Sequence, residues 1–385
     1  MARHITVGID LGTAVTRCVV LGWQSGSAAP EVLASAAIAT KGVRHGYIVN
    51  MPDAAASIRH AVSLAEKQSG TAIKRAVFSM GGVSLSAETS NGSAIISKSD
   101  GEVTAFDIKT ALAGAEEELE LRNRRIIYTT PISWKLDSKE VPGKPEGMHG
   151  VKLEVKVLSI TSLSQHLDDL LSAAAEAGIE VIDVLPTPIA ASTVALSDRQ
   201  KAVGVMLVNI GAETVSIAVF ENNALIGFNV FQIGSTDITN DIALGFRIPL
   251  EEAESIKTGS IMGTNYPKRK VDEIIEARLS DIFELIDAYL KKIKRSGLLP
   301  AGVVLTGGGS GHALVEGLAK DMLRLPSRIG SDEVLSNIKG PVRESSWFPA
   351  FGLALYGKES EGSGRTRKSG GAKGLFKEFL RQFLP

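Results

Sequence analysis

Two short segments hold the residue types from which an oxyanion site is built. Val7-Gly8-Ile9-Asp10-Leu11-Gly12-Thr13 runs from apolar residues into a glycine and is followed by the apolar stretch 18–21. Leu207-Val208-Asn209-Ile210-Gly211-Ala212 has the same shape and precedes the alternating Val215, Ile217 and Val219. Asn209 stands 199 positions after Asp10, so each half of the chain has one copy. A strand, a glycine turn and a second strand make a β-hairpin whose turn can aim backbone N–H groups at an oxyanion. Glycine suits the point where phosphate and backbone approach closely. An acidic residue at the strand end, as Asp10 is, suits a Mg²⁺-bound water. A lone Asp-x-Gly turn is most often only a turn. Two such turns, one per half, with Gly307-Gly308-Gly309 between a strand and a helix, describe a nucleotide clamp across a cleft.

The surrounding pattern supplies the elements that must hold these turns. Residues 53–68 place Ile58, Ala61, Val62 and Ala65 on one helical face, and 76–80 read as a short buried strand. Residues 84–165 form a distinct block. Its helix is expected from Ala105 to about Leu121, with Phe106, Ile108, Leu112, Ala115 and Leu119 as the apolar set and Glu116–Glu118 and Glu120 as a solvated face. A Pro- and Gly-rich loop at 137–150 leads into a strand where Val151, Leu153, Val155 and Val157 alternate with charged residues. A helix over 163–177 ends at Gly178. In the second half, 250–258 and 271–296 read as helices, 303–306 as a buried strand, and a helix follows from about His312. Strands on parallel sheets with helices outside make this an α/β chain.

Composition narrows the function classes. The chain has 385 residues, 42 Lys plus Arg against 43 Asp plus Glu, and a net charge of −1, which argues against a nucleic-acid partner. One cysteine, Cys18, excludes a disulfide framework and a cysteine-built zinc site and fits a reducing cytosol. The six histidines show no paired metal spacing, and no Ser/His/Asp arrangement stands at nucleophile-elbow spacing. No signal peptide is visible, and no apolar run is long enough to span a bilayer as a helix.

With these segments the chain resembles the actin and heat-shock-chaperone ATPase superfamily, and within it the FtsA family of bacterial cell-division proteins. The resemblance covers residues 5–358 and the terminal helix. It is most specific in Ile9-Asp10-Leu11-Gly12-Thr13, in 142–156 with Gly147-Met148-His149-Gly150-Val151-Lys152-Leu153-Glu154, in 234–243 and in 251–257. It implies an actin-like (ribonuclease H-like) two-domain fold with an extra FtsA-type subdomain and a C-terminal amphipathic helix. Subdomain 1A would take 1–83, 166–200 and 346–357, with the inserted subdomain 1C over 84–165. Subdomain 2A would take 201–235 and 300–345, and 2B 236–299. A basic linker over 358–373 and a membrane-targeting helix over 374–385 would follow. The resemblance also implies that Gly12, Thr13, Gly211, Ala212 and Gly234 line the phosphates of ATP, that Glu254 and Lys257 meet the ribose, and that Gly307, Gly308 and Gly309 pack near the adenosine. It makes the FtsZ C-terminal peptide a partner of the second domain, with Arg278, Lys292 and Arg295 as candidates to meet its carboxylates. Other division proteins and further copies of the chain, as a filament, are the remaining expected partners.

Three departures from the superfamily pattern bear on catalysis. Asn209 stands where Asp is usual, Ala212-Glu213 where Gly-Gly is usual, and Thr187 precedes Pro188 where Glu or Gln would orient the attacking water. Asp10 alone remains of the acidic set; Asn209 can hydrogen-bond a metal-bound water but adds no charge. ATP hydrolysis is therefore expected to be slow or absent, with Asp10 meeting Mg²⁺ through water. An alternative is that Glu213 repels phosphate and leaves the cleft empty. A pilus-assembly scaffold and a small-molecule kinase of the same superfamily are the alternative functions. The kinase needs a carboxylate base, against which Thr187 and Asn209 speak.

The end of the chain reads as a lipid anchor. At 100° per residue, Leu375, Phe376, Phe379, Leu380, Phe383 and Leu384 cover one half of a helix, and Lys377, Glu378, Arg381 and Gln382 the other. Residues 358–385 hold seven Lys or Arg and three Glu, a net +4 that suits anionic membrane lipids. The expected location is the cytoplasmic side of the cell membrane, peripheral, at the division site.

Overall fold

The computed structural model describes residues 4–24, 29–260, 266–331 and 341–361. The segment read as a lipid anchor, 374–385, lies outside the described residues. The chain opens with β1 (His4–Leu11) and β2 (Val15–Trp23), an antiparallel hairpin in register from His4↔Trp23 to Leu11↔Thr16. β3 (Glu31–Ala39) extends it antiparallel, and a small hairpin of β4 (Val43–Arg44) and β5 (Tyr47–Ile48) leads into α1 (Met51–Ser69). Asn50 starts α1 by accepting the Asp53 N–H at 3.2 Å, and Gly70, at φ +65°, ends it. The expected Ile58, Ala61, Val62 and Ala65 are its buried face. β6 (Arg75–Met80) then pairs parallel with β1.

The block that follows has its own sheet. β7 (Ser86–Ile95), α2 (Ala105–Glu117), β8 (Arg124–Leu136), β9 (Lys139–Val141) and β10 (Lys152–Leu163) give strand order β7-β10-β8-β9, antiparallel throughout, with α2 against β7 and β10. Gly92 lets helix and strand meet, because a Cβ there would collide with the backbone at Ala111. Thr104 and Asp107 close a reciprocal cap at the start of α2. Three expectations fail here. α2 stops at Glu117, short of Leu121, where the chain turns to reach β8. Phe106 is 66% exposed, since its place in the first turn lies outside the stripe Ile108, Ala111, Leu112 and Ala115. Val151 is 68% exposed and precedes β10, because Asp137 takes its N–H before strand pairing begins. The solvated acidic face also has an exception: burial pushes the Glu116 carboxyl up to about 7.

α3 (Ser164–Glu176), β11 (Glu180–Pro186) and α4 (Thr187–Ala195) complete the first lobe, whose sheet runs β11-β6-β1-β2-β3. After α5 (Asp198–Val203) the second lobe repeats the plan. β12 (Val205–Ile210), β13 (Val215–Glu221) and β14 (Ala224–Phe231) are antiparallel, followed by α6 (Ser235–Phe246), α7 (Leu250–Lys257) and α8 (Lys268–Lys292). β15 (Val303–Thr306), a 3₁₀ turn over Gly308–Gly311, α9 (Leu314–Leu323) and β16 (Ser327–Ile329) follow, giving β14-β13-β12-β15-β16. Both sheets are thus mixed rather than purely parallel: an antiparallel hairpin and third strand on one side, two parallel strands on the other. The 3₁₀ turn delays α9 by two residues from the expected His312. α10 (Phe348–Glu361) returns to the first lobe and crosses β1 where Gly8 has no side chain to obstruct Ala350. It continues to Glu361, past the expected start of the linker at 358.

Candidate nucleotide cleft

The two hairpins turn in the same way. A Cβ on Gly12 would lie 2.8 Å from the carbonyl oxygen of Val15, and one on Gly211 would lie 2.8 Å from that of Thr214. Both distances are shorter than a side chain tolerates, so each turn requires glycine. In the first hairpin Asp10 is buried, and Ser79 on β6 donates to its Oδ1 at 2.6 Å. Burial raises the Asp10 carboxyl above the ordinary value, opposed by the Ser79 hydrogen bond and the charge of Arg17, its cross-strand partner. In the second hairpin Asn209 is neutral, and Thr306 Oγ1 lies 3.5 Å from its Oδ1.

The floor under the second hairpin is built from glycines. Gly307, at φ +88°, runs so close to Ile210 that a side chain would collide with its carbonyl, and a Cβ on Gly309 would strike the Ile210 side chain. Gly308 between them has open space before it. Gly234 packs on the turn itself: Ser235 N–H donates to Gly211 O at 2.9 Å and Thr236 N–H to Ala212 O at 2.8 Å. The start of α6 therefore braces the hairpin with its own N–H groups.

Between the hairpins lies a cavity of about 940 Å³. Asp10, Gly12 and Thr13 line it from the first lobe, and Asn209, Gly211 and Ala212 from the second. Glu254, Lys257 and Gly307–Gly309 complete the set that the sequence predicted there. Gly234 is the exception, lying beneath the second turn rather than on the cavity wall. Glu254 and Lys257 face each other at 2.7 Å, and Lys257 Nζ also donates to Thr239 Oγ1 at 2.8 Å and to Ser235 O at 3.1 Å. The wall also contains residues that the sequence reading missed. Arg17 brings a cation beside Asp10, its Nε buried and without a hydrogen-bond partner among the described residues, its guanidinium carbon 5.6 Å from the centre of the Trp347 ring. Val271 and Ile275 on α8 give an apolar wall, with His312 nearby. Arg17 was legible as a basic residue seven after Asp10; the α8 wall was not, because it depends on how α8 crosses the sheet.

This cavity fits a nucleotide in chemistry and size. Its wall combines apolar side chains, glycine backbone, and a carboxylate with a neighbouring guanidinium near the first turn. Asp10 at the first turn is a carboxylate that a hydrated divalent cation would stabilise, and Asn209 at the second turn is a neutral oxygen donor. Thr187 also lines the cavity. Glu213 is not on the cavity wall; its carboxylate accepts the His45 backbone N–H at 2.6 Å.

The candidate peptide residues are not gathered at one spot. Arg278 is forked onto Asp241 of α6 at 2.7 and 3.0 Å, and Arg295 meets Glu221 of β13 at 2.7 Å. Lys292 is exposed at the end of α8, about 21 Å along the helix from Arg278.

Two sheets of one connectivity, with glycine hairpins turned into a shared cleft and helices outside, define an actin-like α/β protein. Solved structures share this architecture. The PilM–PilN type IV pilus biogenesis complex has a TM-score of 0.69 at 17% identity, covering 91% of this chain and 98% of that one. MreB5 of Spiroplasma citri bound to ADP has a TM-score of 0.54 at 13% identity, covering 94% and 99%. Residues 206–352 match the family model of cell division protein FtsA, and 82–161 that of the SHS2 domain inserted in FtsA, together more than half of the chain. Cell division protein FtsA of Pseudomonas aeruginosa is 28% identical over 95% of this chain and 92% of its own length, and that of Bacillus subtilis 29% identical over 92% and 83%. The chain belongs to the FtsA family of cell-division proteins.

Proposed function

We propose that this actin-like cell-division protein binds ATP with Mg²⁺ in the cleft, forms filaments, and tethers the FtsZ ring to the cytoplasmic face of the cell membrane. The observation that supports the nucleotide reading is the pair of equivalent glycine turns lining one cavity from two lobes. Gly12, Thr13, Gly211 and Ala212 would meet the phosphates, with Glu254 and Lys257 toward the ribose and Gly307–Gly309 toward the base. Mg²⁺, when bound, would supply charge to the phosphates; Asp10 would hold one of its waters, Asn209 another. Turnover would be slow or absent, because Thr187 has no carboxylate to orient water and Asn209 adds no charge. The work then lies in binding and assembly: closure fixes the angle between lobes that a filament repeats.

The division into 1A, inserted 1C, 2A and 2B at the boundaries given above belongs to this proposal. So does the anchor: Leu375, Phe376, Phe379, Leu380, Phe383 and Leu384 would enter the lipid while Lys377 and Arg381 face anionic headgroups. A single helix this short would bind reversibly, and a filament of many would bind firmly by effective concentration. In the second lobe, an acidic FtsZ tail would compete with Asp241 for Arg278 and with Glu221 for Arg295, and would meet Lys292 separately at the end of α8. Calorimetry of the full chain with Mg-ATP, and sedimentation with anionic liposomes before and after deletion of 374–385, test the two main parts. Binding heat and loss of lipid binding on deletion are expected. Absent heat at high protein concentration would overturn the nucleotide part, and unchanged lipid binding the anchor.

A further inference from the structure

The hairpin tip of β4 and β5, Arg44–Tyr47, is gripped from three directions. His45 and Gly46 adopt φ of +50° and +79°, a left-handed pair that turns the hairpin tip. From the second lobe, Glu213 Oε2 accepts the His45 N–H at 2.6 Å while its Oε1 lies 3.5 Å from Arg44 Nε. From the first hairpin, Thr13 Oγ1 accepts the Gly46 N–H at 3.3 Å. From the root of the inserted block, His166 Nε2 lies 2.7 Å from Gly46 O, so it donates there. Its Nδ1 is then free to accept Ser84 Oγ–H at 2.5 Å, and Tyr47 stacks on the imidazole at 4.7 Å.

Glu213 occupies the place in the second hairpin that Ala14 occupies in the first. Its side chain is only 14% exposed, and a carboxylate so placed requires partners. The partner it finds is a backbone N–H of the opposite lobe, in a charge-assisted hydrogen bond. The contact spans the mouth of the cleft, since Gly46 lines the cavity on one side and Ala212 on the other. It uses only protein groups, so it needs no ligand to form. Arg44 is 67% exposed and contributes little by comparison.

We propose that Glu213 is an inter-lobe latch: it holds the cleft closed with no nucleotide present, and nucleotide exchange waits on its release. Only the second clause rests on the nucleotide reading above. The test uses the full chain with spin labels on His60→Cys in α1 and Lys320→Cys in α9, both exposed. Cys18 stays unlabelled, being fully buried. Pulsed dipolar spectroscopy without nucleotide should give one short distance for the parent. Glu213→Ala should add a longer distance, Arg44→Ala should match the parent, and Glu213→Gln, which keeps an acceptor but loses the charge, should add a smaller long-distance population. An unchanged distribution in Glu213→Ala overturns the latch. Should that variant fail to fold, an unchanged distribution in Glu213→Gln does so. Release of a fluorescent ADP analogue should be about ten-fold faster from Glu213→Ala. If the parent binds no nucleotide the cleft reading fails, and the distance measurement still decides the latch.

Discussion

The two hairpins share a backbone and differ in chemistry. Each needs glycine at its turn for the same reason, a carbonyl oxygen 2.8 Å from where a side chain would begin. Each feeds the centre of a sheet with the same strand order. Yet the first ends in a buried carboxylate held by Ser79, the second in a neutral amide beside Gly307. Where the first has Ala14 the second has Glu213, and that carboxylate leaves the cleft for the other lobe. Backbone and side chain have separated here: the glycine turn is kept twice, and the acid is kept once. A protein whose work is to bind and close needs the first part on both sides; one that turns over substrate needs the second as well.

The largest effect should come from breaking the shared part. Gly12→Val and Gly211→Val each place a branched side chain against a carbonyl, and overpacking of that kind costs about 1–3 kcal/mol. Binding of Mg-ATP should weaken up to roughly 100-fold for either variant by calorimetry. Similar losses from the two would support a symmetric clamp. A loss confined to Gly12→Val would show that the second turn only braces the cleft.

Asp10→Asn breaks the unshared part. Mg-ATP should bind roughly ten-fold more weakly, with the loss absent when Mg²⁺ is omitted. The free protein should behave oppositely. Burial raises the Asp10 carboxyl above its unfolded value of 3.8, so the native state keeps its proton to higher pH than the unfolded state does. Stability from this group is then fully present below 3.8 and is lost as pH rises through the raised native value. At neutral pH, therefore, Asp10→Asn should melt higher than the parent by calorimetry, and at pH 3.5 the difference should vanish. A lower melting temperature at neutral pH would show that Arg17 and Ser79 more than offset the burial.

Much of this was legible in the residues. The glycine turns, the strand at 303–306 and the helix face of α1 announce themselves because backbone sterics and 3.6-residue periodicity act locally. What could not be read depends on pairing across the chain. Glu213 is a departure visible in the sequence, and its charge suggests repulsion of phosphate. Its actual partner, the His45 N–H, lies 168 residues away. Arg278 and Arg295 likewise advertise charge for a partner, while Asp241 and Glu221, which neutralise them, are distant in sequence.

Restoring the missing acid is the finest probe of the difference between the turns. Asn209→Asp is nearly isosteric, so packing against Gly307 and Thr306 should survive. The new carboxylate would lie beside Gly307 and the Thr306 hydroxyl, whose proton already goes to Val208 O at 3.1 Å. A half-buried charge with so little support destabilises the free protein, and melting should fall by about 2–4 °C for each kcal/mol lost. Mg²⁺ with ATP should recover that loss, because two carboxylates across one cleft hold a hydrated cation better than one. Turnover should stay slow even so, since Thr187 still has no group to orient water. Fast hydrolysis in this single variant would mean that Asn209 alone accounts for the difference between the turns. A melting temperature unmoved by Mg²⁺ and ATP would mean that the second turn does not face the cation at all.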